Sequence, residues 1–289
     1  MGRASNKISN PSSNGIAKEH IMTIYELMVK TNHYLIKGGI LTDEQKKWIV
    51  QQILPSRSTY KEAQLFYQGV RYPNNMDREG RRMYPIFFIP PFNDGKKYKT
   101  ILNQMPKTHI LSANMYELEI IRMLYLLSSE DMTVDEMVQK TLERLKTTCF
   151  GYQDDGLGEC FDSSLVVLRF LASVAPTETE WIRSRIDNYQ NHVGEKKRPW
   201  FSKWYYWLCL SEMPFDLARS EIHRYEEPIL EWLRTKSMVM NSEHDRTIHP
   251  VLFCILRNIM ARLPEYEYIK KREPYISEKD VRLHFNINH

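Results

Sequence analysis

The stretches 163-SSLVVLRFLASV-174 and 178-ETEWIRSRIDNY-189 decide the fold, because they predict a buried helix followed by a half-polar one. The first is apolar at nearly every position, whereas the second is apolar only at helical spacing. The alternation recurs in both directions along the chain. Further apolar stretches are 116-YELEIIRMLYLL-127, 202-SKWYYWLCLSEM-213 and 249-HPVLFCILRNIM-260, and the polar ones are 134-VDEMVQKTLERL-145 and 227-EPILEWLRTK-236.

The apolar stretches recur at the length of one helix hairpin. We expect Asn114, Asp162, Ser202 and His249 to be their N-caps, with Pro250 at a first helical position. These positions are about 45 residues apart, which is typical of helical repeats. The predicted fold class is therefore all-α, built from antiparallel helix-hairpin repeats that form an α/α toroid or a short solenoid.

The remaining chain is expected to join the same domain. Residues 16–289 are predicted to be one helical domain, preceded by a flexible tail at residues 1–15 that is rich in Ser, Asn and Gly. Capping boxes are predicted at Thr42 with Gln45 and at Thr133 with Glu136. Prolines interrupt residues 55–106, which are expected to form an irregular insertion or lid, with 84-YPIFFIPPF-92 as an edge strand or an extended segment.

Composition limits the classes of function. With 42% hydrophobic and 12% aromatic residues the chain is expected to fold, and its net charge of +4 does not indicate a nucleic-acid partner. It lacks the run of about 18 apolar residues that a membrane span needs. Its four cysteines form no C-x-x-C pair, which favours a reducing cytoplasm. The oligomeric state stays open.

In a toroid or solenoid all the inner helices point the same way, so the groups at their N-termini should converge at one mouth. These groups include a thiol, imidazoles, carboxylates and aromatic rings. They are His109, Asn114, Glu159, Cys160, Asp162, Trp200, Trp204, His244, Asp245 and His249.

This set predicts a thiol-dependent acyl-transfer enzyme, either a hydrolase or an amide- or ester-forming transferase. A thiol at a helix N-terminus faces N–H groups that favour the thiolate, so Cys160 is the expected nucleophile. Either His249 or His244 would be the base, and Asp245 or Asp162 would orient it. The substrate would be a small-molecule, peptide or carrier-bound acyl group. Its binding residues would be Glu159, Trp200, Trp204, His109 and Asn114.

Two other interpretations stay open. No cofactor is required for the thiol reaction, but thiolate, imidazole and carboxylate are also zinc ligands, so a zinc-dependent enzyme is the first alternative. The second is a non-enzymatic helical-repeat module that binds a peptide or an apolar ligand. In that case Asp162 and Asn114 are only helix caps, and the aromatic residues around Trp204 pack the core.

Two family resemblances accompany this interpretation. The alternating helices and the loop 150-FGYQDDGLGECFDSSLVVLRFL-171 resemble the α/α toroid of prenyltransferases and terpene cyclases. That resemblance implies a site of Asp, Cys and His at inner-helix starts, so a prenyltransferase-like activity belongs with the zinc alternative. The D-x-D-D and Q-W motifs of cyclases are missing, so the resemblance does not imply cyclase activity. The sequence 158-GEC-160 before an apolar helix is similar to transglutaminases and papain-type enzymes, whose nucleophilic Cys begins a helix.

Overall fold

A computed structural model describes residues 22–59, 61–62, 83–90, 97–152, 158–193, 200–277 and 280–287. Most of these residues are helical, which confirms the all-α class. The predicted tail at residues 1–15 lies outside the described residues. In the described part of the chain, every helix is too short or too polar to cross a bilayer.

Two capped helices come first. Helix α1 spans Ile24–Ile36 and α2 spans Asp43–Ile53. Thr42 and Gln45 form the predicted capping box at the start of α2. Thr23 and Glu26 form another at the start of α1, where each side chain accepts a hydrogen bond from the other residue's backbone N–H.

In the residues that the structure describes, seven further helices alternate between buried and half-exposed, as the sequence predicts. They are α3 (His109–Leu127), α4 (Met132–Lys146), α5 (Gly158–Val174), α6 (Thr179–Val193), α7 (Trp200–Glu212), α8 (Phe215–Thr235) and α9 (Glu243–Met260). Residues 111–124 of α3 and 204–210 of α7 are all buried, whereas α4 and α8 bury only one face. Each buried Leu, Ile or Phe contributes about 1.5–3 kcal/mol.

The buried helices form a closed ring. Helices α3, α5, α7 and α9 pack against one another in that order, and α1 packs against both α3 and α9. The half-exposed helices α2, α4, α6 and α8 lie outside this ring, each against its hairpin partner. Of the two predicted architectures, this contact pattern is that of a toroid.

The predicted helix starts are wrong by three to seven residues at the inner helices. Thr108 caps α3, so Asn114 lies inside that helix. Ser242 and Asp245 form the capping box of α9, and Pro250 lies inside that helix. Asp131 rather than Thr133 caps α4. The prediction followed the apolar residues, but the first turn of each inner helix carries polar side chains and begins earlier.

The described parts of residues 55–106 are irregular, as expected. A 3-10 turn at Leu54–Ser56 follows α2, and residues 83–90 form no strand and bend at Tyr84, Ile86 and Phe87. The carboxylate of Glu117 holds this segment, since its Oε2 accepts hydrogen bonds from the backbone N–H groups of Ile86, Phe87 and Phe88 at 2.7, 2.6 and 3.1 Å.

Residues 97–104 cross one end of the ring. Tyr98 stacks on Tyr25 of α1 at 4.6 Å and on Tyr116 of α3 at 5.0 Å. His33 Nε2 of α1 donates to the carbonyl of Ile101 at 2.5 Å. Asn103 contacts His244 at the start of α9. The segment therefore ties three inner helices together.

A small sheet closes the chain. A 3-10 helix at Pro264–Lys271 precedes it, and the strands β1 (Met238–Val239), β2 (Tyr275–Ile276) and β3 (Arg282–His284) pair antiparallel in the order β1-β3-β2. Met238 pairs with Leu283, and Tyr275 pairs with His284. The described sheet is thus at the C-terminal end, not in the 84–92 segment.

Candidate functional site

Cys160 lies in the first turn of an inner helix, as its predicted role requires. It is the third residue of α5 and its side chain is half-buried. The N–H groups of a first helical turn have no partner within the helix and carry the positive end of the helix dipole. This end of α5 is therefore an environment that favours a thiolate.

A second thiol adjoins Cys160. The Sγ atoms of Cys149 and Cys160 are 3.5 Å apart, so the two are in contact but not bonded. Cys149 is also half-buried and lies in the turn that follows α4.

The turn around Cys149 is held by specific contacts. The Gly151 N–H donates to Thr148 Oγ1 at 3.1 Å, and Trp181 Nε1 donates to the Gly151 carbonyl at 2.7 Å. A Cβ atom at Gly151 would lie 2.1 Å from the carbonyl oxygen of Leu145, so only glycine fits there. These contacts place Cys149 against the start of α5.

The thiol pair lies on the outer side of α5. Cys160 and Arg169 are nine residues apart, which is two and a half turns of an α-helix at about 3.6 residues per turn, so they point in opposite directions. Arg169 contacts Asn32 of α1 and Glu212 of α7, so it faces the interior of the ring. Cys160 therefore faces the layer of α4, where Cys149 is.

The predicted base and orienting residues of α9 make local contacts. His249 Nδ1 donates to the Val239 carbonyl at 2.8 Å, and its Nε2 is 3.7 Å from Asp245 Oδ1. Hydrogen bonds from Ser242 lower the pKa of the Asp245 carboxyl. His244 contacts Asn103. The contacts described for these three residues are with one another and with their neighbours, and their pairing with Cys160 stays a prediction.

The other predicted site residues are distributed over the fold. Asp162 is buried, and because it lies seven residues before Arg169 it shares the ring-facing side of α5. Asn114 is buried and donates to the carbonyls of Met83 and Ile110. It is therefore a structural contact of the insertion.

The remaining predicted binding residues are aromatic or lie at helix starts. Trp204 is only 2% exposed and packs edge-on against Trp207 and Trp232, so it belongs to the core. His109 is half-buried at the first position of α3. The side chains of Glu159 and Trp200 lie outside the described residues.

Sequence reasoning missed a buried ionic network inside the ring. Arg169 binds Glu119 at 2.5 Å and Glu212 at 2.7 Å, and Arg122 binds Glu212 at 2.6 Å. Asn32 Oδ1 accepts hydrogen bonds from both arginines. The sequence contained a sign of this network, because each of these charged residues interrupts an otherwise apolar helical stretch.

The charged groups of the network shift one another's pKa values. Burial alone would lower the pKa of Arg169, but Glu119 and Glu212 raise it above its ordinary value. Burial alone would likewise raise the pKa of Glu212, but Arg122 and Arg169 hold it below its ordinary value. Arg169 and Glu212 therefore stay charged near neutral pH.

The predicted zinc alternative has no support in the described residues. Among them, no group of three or more His, Cys, Asp and Glu side chains is arranged to hold a metal ion. The Cys149–Cys160 pair supplies two soft ligands, fewer than the three protein ligands of a typical catalytic zinc site.

Comparison of the chain with protein-family models, with curated protein sequences and with solved structures finds no significant match. Both family resemblances therefore stay predictions, and the function is argued from the geometry of the chain itself.

Proposed function

We propose that this protein is a thiol-dependent enzyme in which Cys160 is the nucleophile. The contact between its Sγ and that of Cys149 carries the proposal. A thiolate at Cys160 accepts a hydrogen bond from the neighbouring S–H group and faces the N–H groups of the first turn of α5. Both effects favour the charged, nucleophilic form.

Acyl transfer is the reaction that the sequence predicts for such a thiol. The Cys160 thiolate attacks the carbonyl carbon of a small-molecule, peptide or carrier-bound acyl group, and the leaving group departs with a proton. Water or an amine or alcohol then releases the acyl group, which distinguishes a hydrolase from a transferase. In this scheme His249 or His244 is the base, with Asp245 or Asp162 as its orienting partner.

The other two cysteines are matched controls for reactivity. Burial raises the pKa of the Cys254 thiol to about 11 and that of Cys209 well above its ordinary value. Both lie within apolar inner helices and are at most 1% exposed. They represent structural thiols, which are inert in a folded protein.

A reducing compartment fits the proposal. Two cysteine thiols in contact stay reduced in a compartment where small thiols and reductases prevent disulfide formation, as in the cytoplasm. We therefore place the protein there.

Selective alkylation tests the nucleophile. Purified full-length protein is treated with a limiting amount of iodoacetamide at neutral pH, and the labelled cysteines are located by peptide mapping. We expect Cys160 to be labelled well before Cys209 and Cys254, and Cys160→Ser to abolish the fast label while Cys209→Ser leaves it unchanged. Labelling of Cys160 only after unfolding would reject the proposal.

A second function is supported by the ring itself. A closed helical ring with an internal ionic network is a rigid scaffold, which suits a non-enzymatic module that binds a peptide or an apolar ligand. An unreactive Cys160 would favour this alternative over the enzyme.

A further inference from the structure

We infer that Cys149 and Cys160 form a dithiol–disulfide couple, and that the site reacts with a disulfide substrate. The inference rests on the proposed function in one respect, because Cys160 is again the attacking thiol. It adds a role for Cys149, which no sequence pattern had singled out, and it names a substrate class.

The geometry of the two side chains supports an internal disulfide. The residues are 11 positions apart in sequence, yet their sulfur atoms are in contact at 3.5 Å. A disulfide bond is about 2.05 Å long, so the sulfurs need to approach by only about 1.5 Å.

The two thiols have different surroundings, and these surroundings indicate which thiol attacks and which one resolves the mixed disulfide. Cys160 is in the first turn of α5, whose N–H groups favour its thiolate. Cys149 is in a turn outside any helix. Both are half-buried rather than enclosed, so a small disulfide can reach the pair. Cys160 therefore attacks first, and Cys149 is the resolving thiol.

The reaction proceeds by two exchanges. The Cys160 thiolate attacks one sulfur of a substrate disulfide, forms a mixed disulfide and expels the other sulfur as a thiolate, which takes the proton of Cys149. The Cys149 thiolate then attacks the Cys160 sulfur and expels the second substrate thiolate, which takes a proton from water. The protein loses two electrons and the proton of Cys149, and the substrate gains these two electrons, that proton and one proton from water as it becomes two thiols. An excess of a small thiol reverses the sequence.

Proximity distinguishes this reaction from acyl transfer at the same residue. A resolving thiol that already touches the attacking thiol makes the second exchange intramolecular, which gives it a high effective concentration. The imidazoles of His244 and His249 instead make their described contacts within their own part of the fold. The described neighbour of Cys160 thus suits sulfur exchange directly.

Oxidised glutathione is the probe for the test. Reduced full-length protein is freed of reductant, mixed with oxidised glutathione at neutral pH and followed by intact mass, peptide mapping and the number of thiols released. For the wild-type protein we expect a Cys149–Cys160 disulfide and the release of two thiols. For Cys149→Ser we expect a stable glutathione adduct on Cys160 and one thiol, and for Cys160→Ser a loss of the fast reaction. Cys209→Ser should behave as the wild type.

The outcomes separate this inference from the proposed function. A wild-type protein that keeps the glutathione adduct on Cys160, as Cys149→Ser does, overturns the inference but leaves Cys160 as a nucleophile. A protein in which Cys160 reacts with neither oxidised glutathione nor iodoacetamide overturns both. If Cys149→Ser does not fold, as judged by its circular-dichroism spectrum, Cys149→Ala replaces it with the same expectations.

Discussion

Cys160 and Arg169 lie on opposite faces of α5, the thiol toward the turn after α4 and the guanidinium toward the interior of the ring. One helix thus carries a thiol on one side and part of the ionic network on the other. Substitutions in the network should change the stability of the fold, whereas substitutions at the thiol pair should change reactivity.

Glu117 is expected to anchor the segment at residues 83–90. Its carboxylate is fully buried, accepts three backbone N–H groups and binds Arg144 at 3.0 Å. The amide of Glu117→Gln cannot accept all these hydrogen bonds and leaves the buried guanidinium without its counter-ion. We expect a loss of about 3 kcal/mol in the free energy of unfolding, measured by urea denaturation.

An exposed glutamate provides the control for this substitution. Glu136 pairs with Lys140 one turn along the surface of α4, so Glu136→Gln should leave stability close to that of the wild type. Equal stability of the two variants would show that Glu117 does not anchor the segment.

The pair of Arg169 and Glu119 should be strongly coupled. Both side chains are 1% exposed, and Arg169→Met leaves the carboxylate of Glu119 buried without its cation. We expect Arg169→Met to lose about 3–5 kcal/mol of stability. The double variant Arg169→Met with Glu119→Met removes both charges and should be at least as stable as Arg169→Met alone, by urea denaturation. A loss in the double variant equal to the sum of the losses in the two single variants would contradict a direct pair.

His33 should make stability depend on pH. Burial lowers its pKa from the ordinary 6.5, and the cations Lys37 and Arg169 lower it further. Once pH falls below the ordinary value, His33 binds a proton in the unfolded chain but not in the folded one. The free energy of unfolding therefore falls as pH falls. The His33→Gln variant has an amide that can donate to Ile101 but does not titrate. Its melting temperature should therefore decline less than that of the wild type between about pH 7.5 and 5.5.

The exposed His223 serves as the control for this pH dependence. It pairs with Glu226 at 3.2 Å on the surface of α8. His223→Gln should retain the wild-type decline. If His33→Gln also shows the wild-type decline in melting temperature, the buried imidazole of His33 is not the source of the pH dependence.

The helical repeat was predictable because it depends on apolar periodicity, which the sequence displays directly. The start of α9 was less accessible, since Ser242 precedes the polar first turn 243-EHDR-246, which resembles a loop. The cap of α3 was placed at Asn114, six residues after Thr108, although its first turn carries Ile110 and Leu111. The closure of the ring by α1 could not be predicted, because α1 meets α9 only through a contact between residues distant in sequence.

The site was predictable only in part. Cys160 could be proposed from the sequence because a thiol at the start of an apolar helix is visible there. Its contact with Cys149 depends on how the turn at Gly151 folds back, and no periodicity encodes that turn. The direction in which each residue of α5 faces becomes clear only from the contacts of Arg169.

The dependence of the Cys160 alkylation rate on pH is the most direct test of the central claim. Iodoacetamide modification is followed at this residue from about pH 6.5 to 9, with Cys149→Ser beside the wild type because two thiols in contact titrate together. We predict a rate for wild-type Cys160 that is nearly constant over this range, since its thiolate is already formed. A rate that instead rises toward about pH 8.5, as for an ordinary thiol, would contradict the account.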